Sequence, residues 1–368
     1  MRVCIDATPL LLRSAGVKNY IYHWLVALKG QASRGESVCT FPFVAPPREL
    51  DHEHSMVGRM HTASALCLLH GLNVSGLPWT APGVDVFHAS HHMRNPPRRT
   101  RLTSTVHDMT CWLTPEFHAP ANVAVTRWFG EHIMKRADGI IAVSENTRRD
   151  VLRILDLESE RVQVIHPGVP DAYFEVTAAE VHAVRQALGL ARPYVLFVGT
   201  IEPRKNVPGL LDAWAELSPG CREEYELVVA GPAGWAERKT LERLRAAPGG
   251  VRYLGYLEEA SLPGLTAGAA LLAYPSFYEG FGLPVAQAMA AGVPVVTSNL
   301  SSLPEVAGDA ALLVDPNSTA EIRGALEKLL TSPSLRERLG GAGRRRAREF
   351  HWDAVARESL AWFRGIAQ

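Results

Sequence analysis

One stretch of the chain, residues 274–302, combines a carboxylate with a glycine-rich turn and a short helix. The apolar run 271–274 predicts a buried parallel strand, and Glu279-Gly280-Phe281-Gly282 predicts a tight turn after it. Pro284 suits the first turn of a helix, where its missing N–H costs nothing. A helix start behind such a turn attracts an anion. The pattern predicts a diphosphate at the helix start, with Glu279 at the mouth of the turn and outside the core, gripping hydroxyl groups. The alternative is an ordinary strand–turn–helix of a sheet protein.

A second cluster contains two adjacent cations, Arg204 and Lys205, within the sequence FVGTIEPRKN. The cations precede a predicted helix, for which Asn206 is a plausible cap, and both features suit an anion. In a single-domain interpretation they are ordinary surface charges. Because the predicted strands 194–198 and 271–274 would end at one rim of the same sheet, we expect this cluster to lie near Glu279.

Two further loops follow predicted strands in the first half of the chain. A polar loop, residues 13–19, contains Gly16 and precedes an amphipathic helix predicted over 20–28. His107 and Asp108 end the predicted strand 102–106, and side chains at such a strand end point into the crevice where open parallel sheets bind ligands. From the residues alone, His107 and Asp108 are equally suited to structural roles.

Strands and helices alternate along most of the sequence, and a break at 166–170 interrupts them. This alternation predicts an α/β fold with two Rossmann-like, doubly wound parallel-sheet domains facing across a cleft. We place the domains at residues 1–168 and 169–350, with a terminal helix at 351–368 that packs back on the first domain. Residues 30–80 give no clear pattern.

Composition excludes several classes of protein. The 38 basic and 38 acidic residues leave no net charge, which argues against bulk electrostatic binding of nucleic acid. No run of about 18 apolar residues is present, so the sequence predicts no membrane span. The five cysteines lack metal-ligand or redox spacing and indicate a reducing, cytoplasmic compartment.

Two basic segments permit peripheral contact with an anionic membrane at its inner face. One is the loop 91–100, with Arg94, Arg98 and Arg99, and the other is the run Arg344-Arg345-Arg346. The simpler interpretation is a solvated loop and a solvated helix face.

Taken together, the motifs carry a family resemblance. The chain resembles the retaining, nucleotide-sugar-dependent glycosyltransferases of the GT-B fold, family four, group 1. The most specific matches are SFYEGFGLPVAQAMAAGVPVV, SSLPEVAGDAALLVDP and FVGTIEPRKN, and the weaker ones are the N-terminal glycine loop, TVHD and VSENTRRDV. The Thr-x-Glu-Pro-Arg-Lys-Asn form is similar to bacterial mannosyl- and rhamnosyltransferases of surface polysaccharides.

The resemblance implies an N-terminal acceptor domain, a C-terminal donor domain and a nucleotide-diphospho-sugar donor, with a GDP-sugar favoured over a UDP-sugar. The acceptor would be a glycan, a lipid-linked glycan or a small molecule, and neither a cofactor nor a metal is implied. The implied catalytic residues are Glu279, His107, Arg204 and Lys205. The implied donor-binding residues are Gly16, Gly199, Thr200, Arg204, Lys205, Glu279, Gly280, Phe281, Gly282, Leu283 and Gln287.

The sequence departs from the family pattern at two of these positions. Gln287 replaces the second acid of the Glu-x7-Glu motif, which usually grips the ribose, and an amide brings one acceptor and two donors in place of a carboxylate. Thr200 stands where many relatives carry arginine, a charge for which Arg204 can substitute. Because of these departures, the alternative remains that the chain is a non-catalytic relative of the family that binds nucleotide or glycan. A GT-B epimerase is a further alternative, although no extra acids poised for proton abstraction are apparent.

Overall fold

The structure is a computed structural model that describes residues 1–12, 16–41, 50, 56, 83–90, 93–97, 99–234, 238–246 and 248–368. Residues 13–15 of the predicted glycine loop and Arg98 of the basic loop lie outside this description. Internal contacts divide the chain into two compact units. Unit 1 comprises Met1–Gly168 with Trp352–Gln368, and unit 2 comprises Val169–His351. The first division lies within the break at 166–170.

Unit 1 is built on a six-stranded sheet in the order β2-β1-β3-β4-β5-β6, in which every strand pair is parallel. The strands are β1 Arg2–Asp6, β2 Ser37–Phe41, β3 Val86–Ala89, β4 Arg101–Val106, β5 Gly139–Ala142 and β6 Val162–Val164. Its helices are α1 Gly16–Gln31, α2 Thr110–Leu113, α3 Pro120–His132 and α4 Glu145–Leu155. Helix α4 begins directly after its cap, Ser144, whose hydroxyl accepts a hydrogen bond from the Thr147 N–H.

The terminal helix α15, Trp352–Ala367, belongs to the core of unit 1. Its buried face, which includes Val355, Leu360 and Phe363, packs with Trp24 of α1 in one apolar cluster. The Trp24 indole Nε1 donates a hydrogen bond to the Ser359 hydroxyl at 3.0 Å. Removing this helix would therefore expose apolar surface from one side of the sheet.

Unit 2 contains a second six-stranded parallel sheet in the order β12-β11-β10-β7-β8-β9. Counted within the unit, this is the 3-2-1-4-5-6 order of a Rossmann sheet. The strands are β7 Tyr194–Val198, β8 Glu226–Ala230, β9 Val251–Gly255, β10 Leu271–Tyr274, β11 Val295–Ser298 and β12 Ala311–Val314. The central strands are almost fully buried, as their apolar runs predict for a sheet covered on both faces.

The helices of unit 2 connect these strands and follow the last of them. They are α5 Asp171–Phe174, α6 Ala178–Ala187, α7 Val207–Ala215, α8 Pro219–Glu224, α9 Arg238–Ala246, α10 Leu262–Ala267, α11 Leu283–Ala290, α12 Leu303–Ala307, α13 Thr319–Leu330 and α14 Pro333–Ala347. Helix α6 begins with a reciprocal capping box between Thr177 and Glu180. Within the described residues, no helix is both long and apolar enough to cross a bilayer.

The predicted α/β class with two doubly wound parallel sheets is confirmed. Two differences concern local elements. Strand β2 falls in the segment 30–80, for which no clear pattern was found, and α1 begins four residues before the predicted start. Strand β2 has only five residues, which are too few to show a clear alternation of apolar and polar residues so close to Pro46 and Pro47.

Candidate active site

The two predicted clusters lie on neighbouring strands of unit 2. Strands β7 and β10 pair directly, with Leu272 opposite Leu196, and the sheet reverses its strand order between them. The segment from Gly199 to Asn206 follows β7, and the turn with Glu279 follows β10. Because ligands of open α/β sheets bind at the carboxyl ends of strands where the order reverses, this edge is the expected site.

The loop after β7 is shaped by a 3₁₀ turn, Pro203–Lys205, and by Asn206 in a left-handed conformation with φ 54°. The Asn206 side chain caps α7 by accepting from the Gly209 N–H, and its amide donates to the Pro316 carbonyl at 2.7 Å. Asn206 therefore caps α7, as predicted, and also links its own loop to the loop that contains Pro316. Gly199 lies against Lys205, since a Cβ there would be 3.2 Å from Lys205 Cδ.

Four charged side chains form a compact buried cluster, which we call the charge cluster: Glu202, Arg204, Lys205 and Glu279. Arg204 Nη1 lies 2.8 Å from Glu279 Oε2, and Arg204 Nη2 lies 2.5 Å from Glu202 Oε1. Lys205 Nζ is 3.1 Å from Glu279 Oε1 and donates to the Tyr274 hydroxyl. The Tyr274 hydroxyl in turn donates to Glu279 Oε1 at 2.9 Å. The two cations and two carboxylates balance one another.

The electrostatics of the cluster keep Glu279 and Lys205 ionised. Burial opposes ionisation of Glu279, but Arg204 and Lys205 outweigh this effect and lower the pKa of its carboxyl to about 2. Burial alone would lower the pKa of Lys205, yet the Glu279 carboxylate more than compensates, so that pKa is raised. Both residues are charged at neutral pH.

The expectation that Glu279 lies outside the core is wrong. Only 7% of its surface is exposed, because its carboxylate is enclosed by the two cations and Tyr274. Its backbone is held as well: the Glu279 N–H donates to the Ser301 hydroxyl at 3.0 Å, and the Ser302 hydroxyl donates to the carbonyl oxygens of Glu279 and Phe281. Glu279 is thus both a structural counterion and a candidate ligand-binding group.

The glycine-rich turn opens helix α11 as the sequence predicted. Gly282 adopts φ 104°, and a Cβ there would lie 2.7 Å from Leu303 Cδ2, so both conformation and space require glycine. The N–H groups of Val285 and Ala286 bond to the Gly282 carbonyl. Pro284 has no N–H. The Leu283 N–H is therefore the donor of the first turn that has no acceptor inside the helix.

Helix α14 fixes the other end of α11. Gly340 and Gly343 allow close packing, because a Cβ on Gly340 would lie 2.2 Å from the Gly292 carbonyl oxygen and one on Gly343 would lie 3.2 Å from Met289 Cγ. Arg344 then donates to the carbonyls of Ala290 and Ala291 at the carboxyl end of α11, each at 3.4 Å. Its charge complements the negative end of that helix dipole.

The neighbouring arginine has a parallel role. Arg346 donates to the carbonyls of Glu305 and Val306 near the end of α12, the helix that follows Ser301 and Ser302. The interpretation of Arg344-Arg345-Arg346 as a solvated helix face is confirmed for Arg344 and Arg345, which are exposed, and is wrong for Arg346, which is half-buried. Arg344 and Arg346 bind the ends of the two helices that carry the turn.

The remaining predicted residues have different surroundings. Thr200, Gly280, Phe281 and Gln287 belong to the same edge of unit 2, where Gly280 and Phe281 are buried and Gln287 is half-buried on α11. Phe281 meets the Phe350 ring edge-to-face, with 5.2 Å between centroids. Gly16 begins α1 in unit 1 and is exposed. The donor-binding and catalytic roles of all these residues stay predictions.

His107 is half-buried at the end of β4 in unit 1 and contacts the Tyr20 ring edge-to-face, with 4.8 Å between centroids. Its neighbour His88 is buried, and burial together with the charge of His107 lowers the pKa of His88 to about 3. Both His88 ring nitrogens lie 3.0 Å from threonine hydroxyls, which gives His88 a structural role. Asp108 accepts from the N–H and hydroxyl of Thr110, so it has at least a turn-stabilising role.

Sequence reasoning missed four residues that shape the site: Glu202, Tyr274, Ser301 and Ser302. All four lie within segments that had been singled out, and the position of Glu202 and Tyr274 near Arg204, Lys205 and Glu279 could have suggested counterions and hydrogen-bond partners. The two serines come from the loop after β11, and no local pattern connects them to Glu279.

Comparison with known proteins supports the resemblance to glycosyltransferases. Two family models match the chain: glycosyl transferases group 1 over residues 181–346, and glycosyltransferase family 4 over residues 15–173. The O-antigen chain mannosyltransferase B of Escherichia coli is 36% identical over 274 residues, which are 72% of this chain and 70% of that protein.

Solved structures agree at the level of the fold. The sucrose-phosphate synthase of Thermosynechococcus elongatus has a TM-score of 0.73 at 19% identity, covering 99% of this chain and 98% of that one. HepE of Anabaena, solved in complex with UDP-glucose, has a TM-score of 0.71 at 18% identity, covering 99% of both chains. This likeness confirms the GT-B fold class.

Replacing Glu279 by alanine should destabilise the protein at pH 7 by about 3–5 kcal/mol, because two buried cations lose their shared counterion. The folded-state pKa of about 2 lies below the ordinary value of a glutamate. The stabilisation is therefore complete above about pH 4.3 and is lost as the pH falls toward 2. Chemical unfolding at several pH values checks this, with the exposed Glu337 replaced by alanine as control. If the difference in unfolding free energy between wild type and Glu279→Ala did not shrink in acid, Glu279 would not be the counterion of the two cations.

Two adjacent glycines of α14 allow a matched test of helix packing. Gly340→Ala should destabilise by about 1–3 kcal/mol, since its Cβ meets a backbone oxygen that cannot move away. Gly341→Ala should be neutral or stabilising by up to about 1 kcal/mol, because its Cβ is 3.7 Å from the nearest atom, on Arg345, and alanine favours a helix. Urea unfolding of both variants measures the difference, and equal effects would show that α14 is not closely packed on α11.

Proposed function

The chain belongs to the group 1 glycosyltransferases, family 4. From this membership we propose that it transfers a hexose, mannose from GDP-mannose, to a surface-polysaccharide glycan with retention of anomeric configuration. The charge cluster carries the proposal, because it combines two buried cations, a carboxylate and a helix start at one sheet edge. The name of the Escherichia coli relative, a mannosyltransferase of O-antigen chains, supports the choice of sugar and acceptor.

The proposed chemistry depends on charge at the leaving group. Cleavage of the bond between the anomeric carbon and the phosphate oxygen leaves negative charge on the diphosphate and positive character on the sugar. Arg204, Lys205 and the Leu283 N–H at the start of α11 stabilise the diphosphate, so the mechanism needs no metal ion. The acceptor oxygen bonds to the anomeric carbon on the face that the phosphate leaves, and the acceptor proton passes to the departing phosphate oxygen.

The Glu279 carboxylate has hydrogen-bond acceptor capacity for a sugar hydroxyl. A carboxylate offers about four acceptor positions. Among the described residues, Arg204, Lys205 and Tyr274 donate to three of them. We propose that the fourth accepts a hydroxyl of the donor hexose, while the other three hold the cations at the diphosphate. His107, in unit 1, keeps the acceptor-side role that the family resemblance implies.

The direct test is incubation of the full chain with GDP-mannose, UDP-glucose and ADP-glucose, each with and without O-antigen-type glycan acceptors. GDP release that requires acceptor and persists in EDTA supports the proposal, as does an α-linked product by NMR from the α-linked donor. Inverted product or strict metal dependence would overturn the corresponding part of the mechanism. Nucleotide binding with no turnover of any donor would instead indicate a non-catalytic relative.

Replacing Lys205 by methionine should lower kcat by on the order of 100- to 1000-fold, because a preorganised donor to the developing charge is lost. The methionine fills most of the lysine stem, but it leaves Glu202 and Glu279 with Arg204 as their one cation in the charge cluster. A lowered melting temperature should therefore accompany the loss, and kcat is measured well below it. Lys239→Met, on the exposed face of α9, serves as the control and should leave kcat unchanged. A Lys205→Met enzyme within a few-fold of wild type would remove Lys205 from the catalytic residues.

Gln287→Glu should remain active, since it restores a carboxylate that accepts bonds from both ribose hydroxyls. Gln287→Ala should raise the KM for the donor more than it lowers kcat, because it removes ground-state binding remote from the reacting atoms. Initial-rate measurements over a donor series distinguish the two variants. A folded but inactive Gln287→Glu enzyme would show that the amide has a distinct purpose.

A further inference from the structure

Two cysteines that are remote in sequence are direct neighbours in the sheet of unit 1. The parallel register of β1 and β2 places Cys4 opposite Cys39. Both side chains contact the same apolar cluster, which shows that they point to one face of the sheet. Strand β2 has β1 as its one partner in the described part of the sheet, so Cys39 lies on an edge strand.

The separation of the two residues suits a disulfide. Paired strands lie about 4.8 Å apart, and disulfides join Cα atoms about 4.4–6.8 Å apart. The two thiol groups are close enough for each to shift the pKa of the other. Cys39 Sγ also lies 3.5 Å from the carbonyl oxygen of Val3, the residue before Cys4.

The two thiols differ in reactivity. Cys4 is fully buried, whereas Cys39 is half-buried beside the Arg2 guanidinium. The hydrogen bond from Cys4 and the charge of Arg2 outweigh burial and lower the pKa of the Cys39 thiol to about 6. The hydrogen bond to Cys39 and burial raise the pKa of Cys4. Cys39 is therefore the accessible thiolate, and Cys4 is the adjacent protonated thiol.

We propose that Cys39 and Cys4 form a thiol–disulfide exchange site, in which Cys39 attacks a small-molecule disulfide and Cys4 resolves the product. In the first step the Cys39 thiolate bonds to one sulfur of the disulfide and displaces the other half as a thiolate. In the second step Cys4 loses its proton to that thiolate and attacks Cys39 Sγ, releasing the second half. The protein loses one proton and two electrons, and the small disulfide is reduced to one thiol and one thiolate, which takes its proton from water.

The described chain provides internal controls for this site. Cys111 and Cys221 are buried, and burial raises the pKa of Cys111. We therefore expect glutathione disulfide to react at Cys39 at least about tenfold faster than at Cys111 or Cys221 in the folded protein. The difference should disappear in denaturant, where all thiols are exposed.

The experiment treats the full chain with glutathione disulfide at pH 7, blocks free thiols with an alkylating reagent and maps peptides by mass spectrometry. The wild type should yield a Cys4–Cys39 linked peptide pair that dithiothreitol removes. Cys4→Ser should accumulate glutathione on Cys39, because the resolving thiol is absent, and Cys39→Ser should remain unmodified at Cys4. Cys221→Ser should behave as wild type.

Three results would overturn the proposal. One is glutathione that persists on Cys39 in the wild type, since Cys4 would then not resolve it. Another is a Cys39 that reacts no faster than Cys111 and Cys221 in the folded chain. The third is a disulfide that joins Cys39 to Cys67 in place of Cys4. Circular dichroism and melting temperature establish that each serine variant is folded, so that loss of reaction reports on the thiols.

Discussion

The candidate site of unit 2 depends on the neutralisation of two largely enclosed cations. Enclosing the charges of Arg204 and Lys205 in the protein without Glu279 and Glu202 would cost several kcal/mol for each isolated charge. The anionic partners come from two loops that follow adjacent strands, so the cluster also ties those loops together. Function and folding therefore place the same demand on Glu279, which explains why a group suited to binding hydroxyls is almost inaccessible.

Other residues of unit 2 hold the helix and the turn of the candidate site in place. A short helix holds an anion at its start only if its axis is fixed, and α11 has just eight residues. Gly340 and Gly343 bring α14 into close contact with α11, while Arg344 binds the carbonyls at its far end. Ser302 holds the turn through two carbonyls. Most of the preorganisation of the site thus comes from residues that no ligand would touch.

Local signals in the sequence predicted much of this arrangement. The apolar runs of β7 and β10, the paired glycines before α11 and the adjacent cations each reflect a constraint that acts within ten residues, so each is visible in the sequence. The burial of Glu279, the helix-end contacts of Arg344 and Arg346, and the pairing of Cys4 with Cys39 depend on how distant segments meet. Cysteine spacing gave no redox signal because the two positions that a parallel register brings together are 35 residues apart in the sequence.

The balance of charge in the cluster bears on how it could act in catalysis. With two cations and two carboxylates, the cluster has no net charge and exerts little long-range attraction on an anionic donor. Its effect is confined to directed donors within hydrogen-bonding distance, where the low dielectric of a buried site strengthens each contact. Such donors gain most when negative charge increases on the diphosphate as the glycosidic bond breaks. A neutral cluster of fixed dipoles and ion pairs therefore favours the transition state over simple binding of the donor, which is the condition for accelerating the chemical step.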